Sequence, residues 1–214
     1  MKRLFPRLTA VSFFLILSSC TAQTNKKGLD TRINLNPPAG KAIAAFAEGC
    51  FWCSEHIFEA VIGVDSAVSG YAGGTAPNPT YELVNTETTG HAESILVYYD
   101  PKVIGYPELL KVFFTSQDPT TPDQQGPDRG NSYRSIIFYK TPEEKSFAEQ
   151  AKKDFAKSFK NPIVSEIKEL KEFYKAEGYH QDYIEHNPHS SYVQGVSIPR
   201  FELFKRTYKG KLKH

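Results

Sequence analysis

The sequence predicts an α+β domain in which helices pack against a mixed β-sheet. Two patterns carry that expectation. Segments with strand and helix periodicity interleave along the chain, yet some strand-like runs follow one another at hairpin spacing, which disfavours a doubly wound parallel sheet. The composition is that of a globular protein: 214 residues, 40% hydrophobic and 23% charged, which excludes a disordered or collagen-like polymer.

Taken in order, residues 1–19 read as a leader, with Lys2, Arg3 and Arg7 ahead of a ten-residue apolar run, Leu8 to Leu17. A membrane-spanning helix needs about 20 apolar residues, so this run is too short to span. Leu17-Ser18-Ser19-Cys20 resembles a bacterial lipobox. The expectation is an exported protein that begins at Cys20, acylated on sulfur and held to a lipid bilayer facing the periplasm or the exterior. Residues 20–40, with Pro37-Pro38 and no apolar periodicity, read as a flexible tether.

The folded domain is expected over 41–200. Ala42 to Ala47 is a buried strand running into a helix at Gly49-Cys50, where Phe51, Ile57, Phe58 and Val61 fall at helical spacing. Val64 to Tyr71 and Ser94 to Tyr99 alternate as strands, and Pro107 to Ser116 presents Leu109, Leu110, Phe113 and Phe114 on one helical face. Tyr133 to Tyr139 is β-rich. Thr141-Pro142-Glu143-Glu144 starts a helix expected to reach about Phe159, and Ile163 to Leu170 reads as a further strand. Residues 201–214 read as a solvated basic tail.

Charge does not identify a ligand: 26 Lys+Arg against 24 Asp+Glu leave a formal +2, and no nucleic-acid partner is expected. Chemistry is sought at cysteine. Of the three cysteines, Cys50 and Cys53 sit three apart at the strand-to-helix junction, where unpaired backbone N–H groups favour a thiolate at Cys50. Three readings compete. The pair can pack as small buried residues, serve as half of a zinc site completed by His91, His180 or His186, or act as a redox pair in which Cys50 reacts and Cys53 resolves. An exported protein does not keep a neighbouring pair innocently reduced, and no second cysteine pair completes a zinc site, so the redox reading is preferred, with no metal and no cofactor.

Eight blocks then fall in one order: Gly49-Cys50-Phe51-Trp52, Gly70-Tyr71-Ala72-Gly73-Gly74, Pro77-Asn78-Pro79-Thr80-Tyr81, Thr89-Gly90-His91-Ala92-Glu93, Tyr99-Asp100-Pro101, Asp118-Pro119-Thr120, Gln125 to Gly130, and Tyr133-Arg134-Ser135. Over roughly 41–200 the chain resembles the A-type peptide methionine sulfoxide reductases. The resemblance implies a two-layer, ferredoxin-like α+β sandwich. It also implies thiol-dependent reduction of the S epimer of methionine sulfoxide, free or in peptides and proteins; a monomer recycled by a thioredoxin-like reductant is expected besides. By position, Cys50 matches the attacking cysteine, Phe51 and Trp52 the aromatic wall for the substrate methyl, and Glu93 the acid that protonates the sulfoxide oxygen. Tyr81 and Tyr133 match the phenols bonded to that oxygen, and Asp128 lines the same pocket.

Elementary chemistry agrees with these roles. A sulfoxide oxygen leaves only when protonated, which needs an acid neutral at working pH, and a glutamate shielded among aromatics meets that need. Taken alone, Glu93 reads as a solvated strand-edge residue and His91 as a packing or hydrogen-bonding residue. One departure matters. The segment Asn187 to Val193 resembles the place where many members carry a resolving cysteine, but here the position is Val193 and no cysteine follows Cys53. The resolving role therefore falls on Cys53, on an external thiol or on nothing, and it is assigned to Cys53 because CxxC at a helix start lets the pair reach disulfide distance.

Overall fold

The computed structural model describes residues 30–213. The expected leader, Cys20 and the first part of the tether lie outside the described residues.

The central strand, β1 (Ala42–Glu48), is buried on both faces. Its alternation sends Ala44, Phe46 and Glu48 to one side of the sheet and Ile43, Ala45 and Ala47 to the other. It pairs antiparallel with β3 (Ala92–Tyr99) and with β6 (Ser135–Tyr139). Strand β2 (Val64–Ala72) lies antiparallel beyond β3, and β8 (Phe173–Lys175) beyond β2, while β7 (Glu166–Glu169) runs parallel to β6. The six-stranded sheet thus has the order β7-β6-β1-β3-β2-β8 and is mixed, as expected of an α+β domain. A separate two-residue hairpin, β4 (Gln124–Gln125) with β5 (Asp128–Arg129), stands off the sheet.

Helices α1 (Phe51–Glu59), α3 (Tyr106–Thr115), α4 (Pro142–Ala156) and α6 (Ile198–Thr207) bury apolar residues against the Phe46 side of the sheet. There Phe46 stacks on Phe58 at 5.1 Å and meets Phe113 at 5.5 Å between ring centroids. Burying each such ring contributes about 1.5–3 kcal/mol. Short helices α2 (Tyr81–Val84) and α5 (Tyr183–His186) border the site described below. Helix α4 starts as the sequence dictates: the Thr141 hydroxyl accepts from Glu144 N–H and the Glu144 carboxylate accepts from Thr141 N–H, a complete capping box.

The opposite sheet face carries a smaller cluster around Leu96, Phe138 and Phe173. It is covered in part by Ile33 and Leu35, and here the tether expectation needs correction. Residues 31–33 run along the β8 edge, with Ile33 N–H donating to Phe173 O at 2.8 Å and Lys175 N–H to Thr31 O at 2.9 Å. Unpaired groups on an edge strand supply the partners. The basic tail is corrected likewise. Residues 201–207 belong to α6, Phe204 and Tyr208 are buried in the core, and Leu212 bridges Val61. The lysines that follow the helix, Lys209, Lys211 and Lys213, gave the whole segment a tail-like composition that masked it. Expected boundaries elsewhere shift by a few residues: α4 ends at Ala156 rather than Phe159, and the strand placed at Ile163 to Leu170 pairs only over β7.

Candidate active site

The turn from β1 into α1 brings the cysteine pair to the edge of the sheet. Gly49 sits at φ +87°, and a Cβ there would lie 2.4 Å from the Gln125 Cβ, so the turn requires glycine on both counts. Cys50 occupies the N-cap of α1 and makes no side-chain cap bond. Strand β3, one register over, alternates so that Glu93, Ile95, Val97 and Tyr99 face the helices. Glu93 is thereby carried under the start of α1, where its carboxylate accepts from Phe51 N–H at 3.0 Å.

Seven of the residues expected in the site line one cavity of about 410 Å³. Cys50, Phe51 and Trp52 come from the start of α1, Tyr81 from α2, Glu93 from β3, Asp128 from β5 and Tyr133 from the turn before β6. Glu93 is 2% exposed, and burial raises its carboxyl to about 8 despite the Phe51 N–H bond, with the Asp128 charge adding to the rise. The acid is therefore protonated at neutral pH. Tyr81 and Tyr133 are pushed above the ordinary phenol value by burial, so both remain O–H donors.

Cys53 does not line this cavity. Its sulfur lies beside the Cys50 thiol and 3.2 Å from the Ser197 hydroxyl, which can donate to it in its charged form. Burial acts on the cysteine pair against the pull of the helix start on Cys50. Burial pushes the Cys50 thiol well above its ordinary value, with Cys53 and Glu93 adding to the rise. Cys53 is held down to about 6 by the hydrogen bond from Cys50, with Arg200 and Ser197 assisting. The two thiols titrate as one coupled pair, and the Arg200 guanidinium favours the thiolate at Cys53. Arg200 is locked behind the pair: its side chain donates to Glu48 Oε1 at 2.9 Å, to Glu48 O at 3.0 Å and to Ser116 O at 2.8 Å. Glu48 is fully buried, and desolvation raises it to about 7 against the pull of Arg200.

Sequence reasoning missed the residues that hold the aromatic wall. Trp52 stacks face to face on Tyr183, with centroids 3.6 Å apart and rings 8° from parallel, and meets Tyr192 edge-on at 5.7 Å. The indole N–H donates to His180 Nδ1 at 3.0 Å, which fixes the neutral tautomer with its proton on Nε2. The ring of His180 is 1% exposed and burial lowers its pKa, which protects this acceptor role. Tyr192 donates to Asp128 Oδ2 at 2.6 Å. The only signal for this group was a run of aromatics without periodicity between Tyr179 and Tyr192. His91 accepts from Gly74 N–H at 3.2 Å and bonds Ala76 O at 2.9 Å, a structural role in the turn before α2. No group of three metal-ligating side chains gathers among the described residues.

A buried pair of thiols beside a neutral carboxylic acid, two phenol donors and an aromatic wall defines a thiol-based oxidoreductase site for a small apolar group bearing one polar oxygen. The family model described as "Peptide methionine sulfoxide reductase" matches residues 42–212. The chain is similar to peptide methionine sulfoxide reductase MsrA 1 of Rhodopirellula baltica, 44% identical over 174 residues that cover 81% of this chain and 91% of the relative. It is also similar to Mxr1 of Saccharomyces cerevisiae in its reduced form, with a TM-score of 0.69, 34% identity and coverage of 75% and 92%. A structure of Mxr1 in complex with Trx2 aligns with a TM-score of 0.50 at 27% identity, covering 68% and 86%. The chain belongs to the peptide methionine sulfoxide reductase family, A type, and is an oxidoreductase that reduces the S-sulfoxide of methionine in peptides.

Proposed function

We propose that Cys50 attacks the sulfoxide sulfur while Glu93 protonates the oxygen, and that Cys53 then resolves the product. The observation that carries this reading is the neutral, buried Glu93 in one cavity with Cys50, Tyr81 and Tyr133. As Cys50 attacks, its proton passes along the hydrogen bond to the Cys53 sulfur. Methionine leaves and Cys50 retains the oxygen as sulfenic acid. Cys53 attacks that sulfur, an S–S bond forms, and the oxygen departs as water, so two thiols are oxidised as one sulfoxide is reduced. Phe51 and the Trp52 indole, held by Tyr183 and His180, receive the methyl group through ring contacts. Asp128, tied to Tyr192, closes one wall.

The order β6-β1-β3-β2, with α1 and α3 on one face, supports a ferredoxin-like core. A thioredoxin-like dithiol protein is assigned as the reductant of the disulfide, an assignment supported by the likeness to Mxr1 crystallised with Trx2. The leader and Cys20 support export and lipid anchoring, and hence repair of oxidised proteins outside the cytoplasm. Replacement of Cys50 by serine tests the chemistry: S-sulfoxide consumption falls to background, and retained activity in that variant overturns the assignment of the nucleophile.

A further inference from the structure

Resting on the reading of Cys53 as the resolving thiol, a second cavity bears on how the pair is recycled. It is larger than the sulfoxide cavity, about 590 Å³, and lies on the α6 side. Cys53 lines it together with Val196, Pro199, Arg200, Leu203 and Phe204, whereas Cys50 does not. Asp128 and Tyr192 line both cavities, and their 2.6 Å hydrogen bond forms the partition between them. Each buried cysteine of the pair thus borders a different cavity.

Thiol–disulfide exchange needs the incoming sulfur in line with the bond that breaks, so the open side of each sulfur decides which one is attacked. From the sulfoxide cavity an incoming thiolate meets the carboxyls of Glu93 and Asp128. From the α6 side it meets the Arg200 guanidinium. Asp128 and Asp118 are also at that wall, each engaged by hydroxyls, those of Tyr192 and Thr120. The rim carries Leu203, an apolar side chain 54% exposed, which suits contact with another protein.

We propose that substrate and reductant reach the cysteine pair from opposite sides, and that the redox loop of a thioredoxin-like dithiol protein docks over Leu203 and attacks Cys53 through the α6-side cavity. The reductant thiolate bonds to the Cys53 sulfur, the Cys50–Cys53 bond breaks, and its electron pair stays on the Cys50 sulfur, which takes up a proton. The second thiol of the reductant then attacks its own partner sulfur, Cys53 leaves as thiolate, and the reductant departs as a disulfide. Cys50 returns to the sulfoxide cavity as a free thiol without that cavity having admitted the reductant.

The test begins with protein oxidised by one equivalent of methionine S-sulfoxide and checked by intact mass for the internal disulfide. It is then treated with a thioredoxin whose second active-site cysteine is serine, and the trapped mixed disulfide is located by peptide mapping. Attachment at Cys53 is expected, and attachment at Cys50 overturns the proposal. An added oxygen in place of the disulfide at the first step instead refutes the resolving role of Cys53, and the proposal falls with it. In steady state, Leu203→Glu raises the KM for thioredoxin about tenfold, the effect of losing one apolar anchor, whereas Val103→Glu, at another exposed apolar position, does not. An unchanged KM in L203E refutes the docking surface.

Discussion

Glu93 is the residue on which the chemistry turns, and its ionisation is visible in two ways. Its carboxyl titrates near 8 in the folded protein against about 4.3 in an unfolded chain. The stability it contributes is complete below the unfolded value and is lost progressively as pH rises through about 8. Glu93→Gln, which keeps an acceptor for Phe51 N–H, therefore melts higher than the unchanged protein by a margin that widens from about pH 5 to about pH 8. A margin constant with pH contradicts the buried-acid account. The same substitution lowers turnover by about a hundredfold or more, the usual worth of a general acid, and turnover of the unchanged enzyme falls above about pH 8 as the acid ionises.

Cys50 was legible in its own sequence context, whereas Phe51, Trp52, Tyr81, Glu93, Asp128 and Tyr133 became legible through the family resemblance of their motifs, and all seven meet in one cavity. The cation that favours the Cys53 thiolate was not legible: Arg200 lies 147 positions after Cys53, and only the packing of α6 brings it near.

Among the elements, α6 is the one whose loss reaches furthest. It delivers Arg200 to the buried Glu48 carboxylate at 2.9 Å, with the Arg200 side chain 12% exposed. Removing one partner of a buried pair leaves the other charge uncompensated, so Arg200→Met costs about 3 kcal/mol or more in urea unfolding. A loss below about 1 kcal/mol, the worth of a surface pair, contradicts the buried-pair reading. The same variant raises the pH at which Cys53 reacts with iodoacetamide, because the cation that favours its thiolate is gone. By comparison the capping box of α4 is a local matter: Thr141→Ala costs about 1 kcal/mol and leaves that alkylation profile unmoved.

Strands β1 and β3 and helices α1, α3 and α4 were legible because burial of one face imposes a period on the sequence. Helix α6 was not, because the π-helical turn Val193–Ser197 that precedes it breaks the helical register and Pro199 stands in its first turn.

For the molecule as a whole, the N-terminal strap joins what precedes it to the sheet. A chain beginning at Lys41 loses the packing of Ile33 and Leu35 and the two backbone bonds to β8. It unfolds about 2 kcal/mol more easily than one beginning at Asp30, by the scale of two partly buried aliphatic side chains. Equal midpoints in chemical unfolding show that the strap adds nothing. Upstream of the strap, Cys20→Ala releases the protein from the membrane fraction if the anchor is the acyl chain, and full retention in that fraction refutes it.

The division of labour between Cys50 and Cys53 is the central claim, and a single turnover without reductant reads it directly. Reduced protein beginning at Asp30, which has two cysteines, is mixed with one equivalent of methionine S-sulfoxide, then analysed by thiol counting and intact mass. The account predicts one equivalent of methionine, both thiols lost and a mass lower by two hydrogens. One thiol remaining on a protein heavier by one oxygen contradicts it, because Cys50 has then reacted and Cys53 has not resolved it.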